Sequence, residues 1–493
     1  MAKRKKPKSK QKVSTPAVHR KGEKKTAKLG RPLRPDFARN CLSCFNFANC
    51  RDPEKSRAYL CTKFSDIDFE VPPGEEERLI LETKSDKKKR KDEKFAWAPP
   101  DDADEEELEK YMLKVLNRNV TFSDSSFTFD DSGLPVADNF LQFTASKKFL
   151  GLKPFPKQVE WGINFHQEYC PRCSNIEWIT NIPKSTSLNS IREHATLLKR
   201  GVCPDCGATK SELVKTGELV DYYEFAGLVG QRAGKTAWLG MDSAYVTHLF
   251  LKTPSPSQQF EVTDNMIFYA TFAAVTFEQA MRNVWGPYVR PYITVTPWFS
   301  EYLKMLDHYE EANGQKLYKA MDTFMAFIHK GLWLAPLTPD KRTLRGATRY
   351  LASIDELGWF DTNTNMEKNK NSVRANSDET LAALGNSLMT LKNAHRRKRM
   401  KGNNTLPAPV MINISSPSSA DDGICRRIKA AKVDQQIYAV QAPTWKISPK
   451  YSRKDPEIMA AFAVDKIAAA RDWGAEPPFS RNSFMTNYKI FKA

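Results

Sequence analysis

At 493 residues, 41% of them hydrophobic, the chain is long enough for a large core plus accessory units. No apolar run approaches the ~20 residues that a membrane span needs, and the N-terminus lacks the apolar centre of a secretory signal, which excludes membrane functions and points to a reducing cytosol. The formal charge of +18 is concentrated at one end, where residues 1–40 hold 15 Lys and Arg against Glu23 and Asp36.

That segment, rich in proline and without apolar periodicity, reads as a basic disordered tail. It is expected either to hold DNA phosphates in a salt-sensitive way or to act as a solubilising or addressing arm. Residues 41–63 follow as a cysteine knuckle: Cys41, Cys44, Cys50 and Cys61 are separated by 2, 5 and 10 residues, with Phe45, Phe47 and Tyr59 as a very small core. In a reducing compartment four thiolates suit tetrahedral zinc, while the spacing leaves an iron–sulfur cluster or plain reduced cysteines open. From 64 to 145, basic blocks (Lys87 to Lys91) alternate with acidic ones (Asp101 to Glu107), which predicts a solvated charged linker without chemistry.

The main domain is expected over 146–437. It begins with a proline-ordered turn and helix, Leu152 to Trp161, in which the Gln158 amide offers the donor and acceptor that an adenine edge requires. A zinc ribbon is predicted within 167–215, because Cys170-Pro171-Arg172-Cys173 is answered after 29 residues by Cys203-Pro204-Asp205-Cys206. Each tight turn aims two thiolates at one ion, and four cysteines close a structural site. His166 and His194 are read as surface or hydrogen-bonding residues.

Directly after the ribbon comes Val229-Gly230-Gln231-Arg232-Ala233-Gly234-Lys235-Thr236, which ends as a phosphate-binding loop does. The usual first glycine is replaced by Val229, with Gly230 one step late. Tyr222 to Val229 is the expected buried strand, and a helix starts at Lys235 with its amides facing phosphates. Lys235 would bridge the β and γ phosphates and Thr236 would bind magnesium. Met266 to Thr271 predicts a second strand, and the segment with Phe277, Ala280, Met281 and Trp285 a helix. Residues 302–333 show helical patterning around Met305, Leu306, Phe324, Phe327 and Ile328.

A third strand, Tyr350 to Ile354, ends in Asp355-Glu356. This suits the second half of a nucleotide site, with Asp355 in the magnesium shell and Glu356 deprotonating the attacking water. Asn371 to Lys401 is polar and helix-forming, ending in the basic run His395 to Arg399, which suits either DNA phosphates or a solvated face. Val410 to Ile414 reads as a central strand closed by Ser415 and Ser416, small hydroxyl residues placed to sense a γ phosphate. Residues 438–493 read as a helical cap or linker, and Cys425 as unpaired and inert.

In this order the segments resemble the ATPase part of the large terminase subunit, the DNA-packaging motor of tailed phages, over roughly residues 150–480. The resemblance is carried by Arg232 two residues before Gly234-Lys235-Thr236, by Pro154-Phe155-Pro156-Lys157-Gln158, by Arg345-Gly346 ahead of Asp355-Glu356, and by Ile412 to Pro417 with Asp421-Asp422-Gly423. It implies an α/β P-loop ATPase with a mostly parallel sheet flanked by helices, using ATP and Mg2+ beside the zinc of the cysteine modules. It also implies a homo-oligomeric ring, a pentamer, with Arg345 as an arginine finger into the neighbouring site. Arg232 competes for that role from within its own subunit, and a plain surface salt bridge is the third reading of Arg345. The implied partners are double-stranded DNA, the portal protein and the small terminase subunit, and the implied location is the host cytoplasm at the procapsid portal rather than the mature virion.

Two departures stand out. The ribbon separates the adenine element from the phosphate loop, and the sequence ends at Ala493 before an RNase H-like nuclease, so cutting is expected from a separate polypeptide or to be lost. The rival readings are another zinc-containing P-loop translocase or helicase, which needs a second motor domain, and a non-enzymatic DNA-binding scaffold, which would turn over no ATP.

Overall fold

The computed structural model describes residues 133–337, 339, 346–361 and 376–478. Eight strands share one sheet: β1 (Glu224–Val229), β2 (Phe268–Ala273), β3 (Tyr318–Ala320), β4 (Met325–Phe327), β5 (Leu332–Leu337), β6 (Thr348–Asp355), β7 (Val410–Ser415) and β8 (Ile437–Ala442). Their order is β3-β4-β5-β2-β6-β7-β1-β8. From β5 to β8 every pairing is parallel, and β3 and β4 extend the sheet in antiparallel fashion. The protein is therefore α/β with a mostly parallel sheet, as the sequence predicts.

The apolar runs explain this layout. Every residue of β1 and of β7 is buried, as expected of parallel strands covered by helices on both faces. Alternate residues serve the two faces. Phe225, Ile412 and Ile414 pack with Trp161, Trp238 and Leu239, whereas Ala226, Leu228 and Met411 pack with Leu384 and Leu388. Trp238 and Leu239 belong to the helix Lys235–Leu251, and Leu384 and Leu388 to the long helix Ser377–Met400. Full burial of a side chain such as Phe225 contributes about 1.5–3 kcal/mol, so the sheet centre is rigid ground for whatever its strand tips carry.

Three expectations are corrected. The segment 302–333 is helical only in its first part, Pro297–Asn313, beyond which Gly314 stops the helix in a left-handed conformation and β3, β4 and the start of β5 follow. Short apolar runs such as Met325-Ala326-Phe327 have no period that separates strand from helix, and pairing to the sheet decides. The residues from 438 are not simply a helical cap, because β8 joins the sheet beside β1, with Phe225 opposite Tyr438. The linker assigned up to 145 also ends too late: the helix Phe140–Ala145 buries Phe140, Leu141 and Phe143. Four apolar residues in six suffice to anchor it even beside a charged stretch.

The cysteine region has its own small core. Ile179, Ile182, Ile191, Leu198 and Leu213 pack with Val159 and Ile163 of the helix Pro156–Phe165. Its backbone is held by isolated antiparallel bridges, Tyr169 to Leu197 and Val202 to Thr209. Among the described residues no helix is long and apolar enough to cross a membrane.

Candidate nucleotide and metal sites

Strand order builds the first site. β7 lies between β1 and β6, and the registers Leu228 to Ser415 and Asp355 to Ile414 bring all three carboxyl-terminal tips level. With neighbouring strands about 4.8 Å apart, β1 and β6 are about 10 Å apart across β7. A lysine and a threonine on the loop after β1 can span that gap. The crevice outside such tips is where open parallel sheets bind ligands.

The loop after β1 is shaped by its glycines. Gly234 caps the helix Lys235–Leu251 at φ +79°, a left-handed conformation that favours glycine. A Cβ there would lie 2.8 Å from Gln158 Nε2. At Gly230 a Cβ would meet Thr444 Oγ1 at 2.3 Å and the Trp473 carbonyl at 2.5 Å, which accounts for a glycine one step later than the usual pattern. The Gln231 amide donates to the Asp472 carbonyl at 2.5 Å and Thr444 Oγ1 donates to the Gln231 carbonyl at 2.6 Å. Thr444, Asp472 and Trp473 thus brace the loop. Motif spacing does not reveal them, and the displaced glycine is their only trace in the sequence.

Side chains from the three strand tips meet at this loop. Lys235 Nζ donates to Ser416 Oγ at 2.6 Å and lies 3.4 Å from Glu356 Oε1, while Thr236 Oγ1 donates to Asp355 Oδ2 at 3.0 Å. Ser415 Oγ, 3.1 Å away, and the Ser416 amide, 3.3 Å away, both donate to Glu356 Oε2. Glu356 stands in the left-handed region at φ +59°, a conformation that costs a non-glycine residue on the order of 1–3 kcal/mol. Its amide donates to the Ile414 carbonyl at 2.8 Å, so the same contacts that aim its carboxylate hold the backbone in place.

The two carboxylates differ in environment. Asp355 is 4% exposed. Burial, reinforced by the Glu356 charge and opposed by Lys235 and Thr236, pushes its carboxyl up to about 7. Its Oδ1 has no hydrogen-bond partner. An orphaned buried carboxylate oxygen next to a threonine hydroxyl fits a hard divalent cation such as magnesium. The Glu356 side chain keeps about a third of its surface open (35%), enough to meet water.

Other expected site residues are placed differently. Both functions of the Gln158 amide are engaged by the protein: Oε1 accepts from the Phe155 amide at 2.8 Å and Nε2 donates to the Gly234 carbonyl at 2.9 Å. Gln158 therefore ties its helix to the phosphate loop. Ala233 is buried, and Arg232 is exposed at φ +58°. Arg345 and the cluster Cys41, Cys44, Cys50 and Cys61 lie outside the described residues.

A second constellation lies in the cysteine region. The Sγ atoms of Cys170, Cys173, Cys203 and Cys206 all fall within 4.8 Å of one another. Cys170 and Cys206 are 3.7 Å apart at sulfur. Tetrahedral thiolates about 2.3 Å from zinc are about 3.8 Å from each other, whereas a disulfide needs about 2.05 Å, so the geometry fits a closed four-thiolate centre. The two histidines of this region have other work. His166 Nε2 lies 2.7 Å from Asp242 Oδ1, and His194 stacks on Trp178.

Over about half of its length the chain is similar in fold to phage large terminases. The large terminase ATPase domain of Thermus phage P74-26 matches over 51% of this chain and 88% of that chain, at 12% identity and a TM-score of 0.29. An arginine-to-alanine variant of that domain gives the same figures. The large terminase of bacteriophage HK97 matches over 54% of this chain and 49% of that chain, about half its length, at 14% identity and a TM-score of 0.29. No protein-family model and no curated protein matches the chain.

Proposed function

We propose that the protein is the ATP-hydrolysing motor subunit of a phage DNA-packaging machine, moving double-stranded DNA into a procapsid. The observation that carries the ATPase reading is the meeting of Lys235, Thr236, Asp355, Glu356 and Ser416 around one crevice. The packaging role rests on the order of the motifs in the sequence. An unrelated P-loop translocase, or a DNA-binding scaffold, is the alternative.

In this reading the amides of the loop from Gly230 to Gly234 cradle phosphates, and Lys235 exchanges Ser416 and Glu356 for the β and γ oxygens. Thr236 and Asp355 hold magnesium, which neutralises charge on the transferred phosphoryl group when bound. Glu356 takes a proton from the attacking water, oriented for this by Ser415 and the Ser416 amide. Ser416, shared between the base and the lysine, and Ser415 beside it register whether the terminal phosphate is present. Arg345 or Arg232 supplies the arginine finger, an effect worth on the order of 10³–10⁵ in rate. Zinc fills the thiolates of Cys170, Cys173, Cys203 and Cys206 as a structural ion, and the cluster Cys41, Cys44, Cys50 and Cys61 takes a second one. The further partners are the portal protein, the small terminase subunit and four other copies of the chain.

Steady-state ATP hydrolysis by the purified chain, with and without double-stranded DNA, tests this. Turnover that DNA stimulates and that Lys235→Ala abolishes is the expected result. Equal turnover by wild type, Lys235→Ala and Glu356→Gln removes the assignment.

A further inference from the structure

The helix Lys466–Asp472 ends against the nucleotide crevice, and two contacts hold that end in place. On one side the Asp472 carbonyl accepts from the Gln231 amide of the phosphate loop at 2.5 Å. On the other, the Arg471 guanidinium lies over the ring of Trp359, 5.5 Å from its centroid. Trp359 ends the one-turn helix Leu357–Trp359 directly after Glu356, and its amide donates to the Glu356 carbonyl at 2.9 Å. The Arg471 side chain thus runs from the loop after β1 to the tip of β6, across the crevice between them.

Local chemistry makes this cation exchangeable. Arg471 Nε and Nη2 donate to the two carboxylate oxygens of Asp472, its own chain neighbour, at 2.7 and 3.0 Å. The two side chains are 24% and 22% exposed, and an ion pair so open to water is weak. A phosphate group presents the same planar fork with a more highly charged acceptor. Stacking on Trp359 engages the face of the guanidinium and leaves its N–H edge to choose between anions. Trp359 is in turn fixed to the catalytic strands: the Gly358 amide donates to Ser415 Oγ at 3.0 Å, and Ser418 Oγ donates to the Gly358 carbonyl. Since Ser415 also holds Glu356, the platform under Arg471 and the carboxylate of Glu356 share one support.

We infer that Arg471 is a further catalytic residue of the nucleotide site, leaving Asp472 to bind the γ phosphate of ATP held by the same chain; this rests on the ATPase reading above. In that reaction the water oxygen attacks the γ phosphorus, the bond to the bridging oxygen breaks with its electron pair departing on ADP, and Glu356 takes the proton of the water. Arg471 offsets the negative charge spread over the γ oxygens as this happens. It adds to the finger that Arg232 or Arg345 supplies, and it reaches the phosphate from the helix that also braces the loop. No motif marks Arg471, because its place depends on a helix that joins the site from more than 100 residues beyond Glu356.

Two measurements on the full chain test this: steady-state ATP hydrolysis with double-stranded DNA present, and equilibrium binding of ADP and of a non-hydrolysable ATP analogue, each with magnesium. Arg471→Ala should lower kcat about 10²–10³-fold. It should weaken the analogue about tenfold and leave ADP within about twofold, since only the γ phosphate loses a partner. Arg471→Lys keeps the charge and the stem but not the fork, so it should recover part of the lost kcat, and it keeps the test open should Arg471→Ala fail to fold. A residue that merely holds the helix end would weaken both nucleotides alike, and that pattern overturns the inference. So does a kcat close to wild type in both variants while Lys235→Ala abolishes turnover, a result that leaves the ATPase reading standing. Absence of turnover in the wild type itself removes that reading and the inference with it.

Discussion

Adjacent carboxylates at the tip of β6 are made unlike by their surroundings. Asp355 is buried with one oxygen orphaned, while Glu356 is turned outward by its left-handed backbone and held by Ser415 and Ser416. A cation holder and a proton acceptor need these two environments. Replacing Glu356 with glutamine keeps the hydrogen-bonding shape and removes the basicity. ATP hydrolysis should then fall about 10²–10⁴-fold while nucleotide binding, measured by filter retention, stays within a few-fold. The juxtaposition of Lys235, Thr236, Asp355 and Glu356 was legible in the sequence because each sits at a fixed offset from an apolar strand. Thr444 and the Asp472 carbonyl were not, since a single hydroxyl and a backbone carbonyl more than 200 residues down the chain belong to no motif. Gln158 was legible as a residue of the site, but its amide is spent on the loop backbone, a choice that only the fold reveals.

Elements succeed or fail by their contacts with the sheet. Gly230→Ala places a methyl group against Thr444 and the Trp473 carbonyl. It should cost about 2–4 kcal/mol in thermal or denaturant unfolding, since overpacking against backbone cannot relax cheaply. The cysteine region makes a parallel case: its five-to-seven-residue helices are too short to stand alone. Cys203→Ser should release one equivalent of zinc, read by a chromogenic chelator, and lower the melting temperature.

Acid acts through the long helix. His395, buried with Nδ1 2.9 Å from Tyr223 Oη, is held down to about 3, mainly by burial. The unfolded chain binds its proton near 6.5, so the stability present above that pH is lost as pH falls toward 3. Between pH 7 and 5 the loss is about 2 kcal/mol. His395→Gln should flatten the slope of melting temperature against pH in that window, and an unchanged slope would assign it to other groups. Continuously apolar segments (β1, β2, β6 and β7) were readable from the sequence to within a few residues, and the long helix from its polar, helix-forming composition. The three-residue strands β3 and β4 and the edge strand β8 were not, because pairing rather than pattern makes them strands.

On the scale of the molecule, one sheet brings the nucleotide-site residues together. Its carboxyl-terminal tips meet at Lys235, Asp355 and Ser416. The parallel order was legible from the alternation of apolar runs and helices, whereas the placement of β7 between β1 and β6 was not, since strand order is a property of the crossovers. That placement makes Ser416 a common neighbour of the lysine and the glutamate. The central claim is that the loop after β1 and the tip of β6 form one site around a single triphosphate and its metal. Electron paramagnetic resonance of Mn2+ bound with a non-hydrolysable ATP analogue tests it most directly. One Mn2+ per chain, coupled to phosphorus and lost in both Thr236→Ala and Asp355→Ala, is the predicted result. Mn2+ bound without phosphorus coupling, or bound equally in both variants, would contradict it.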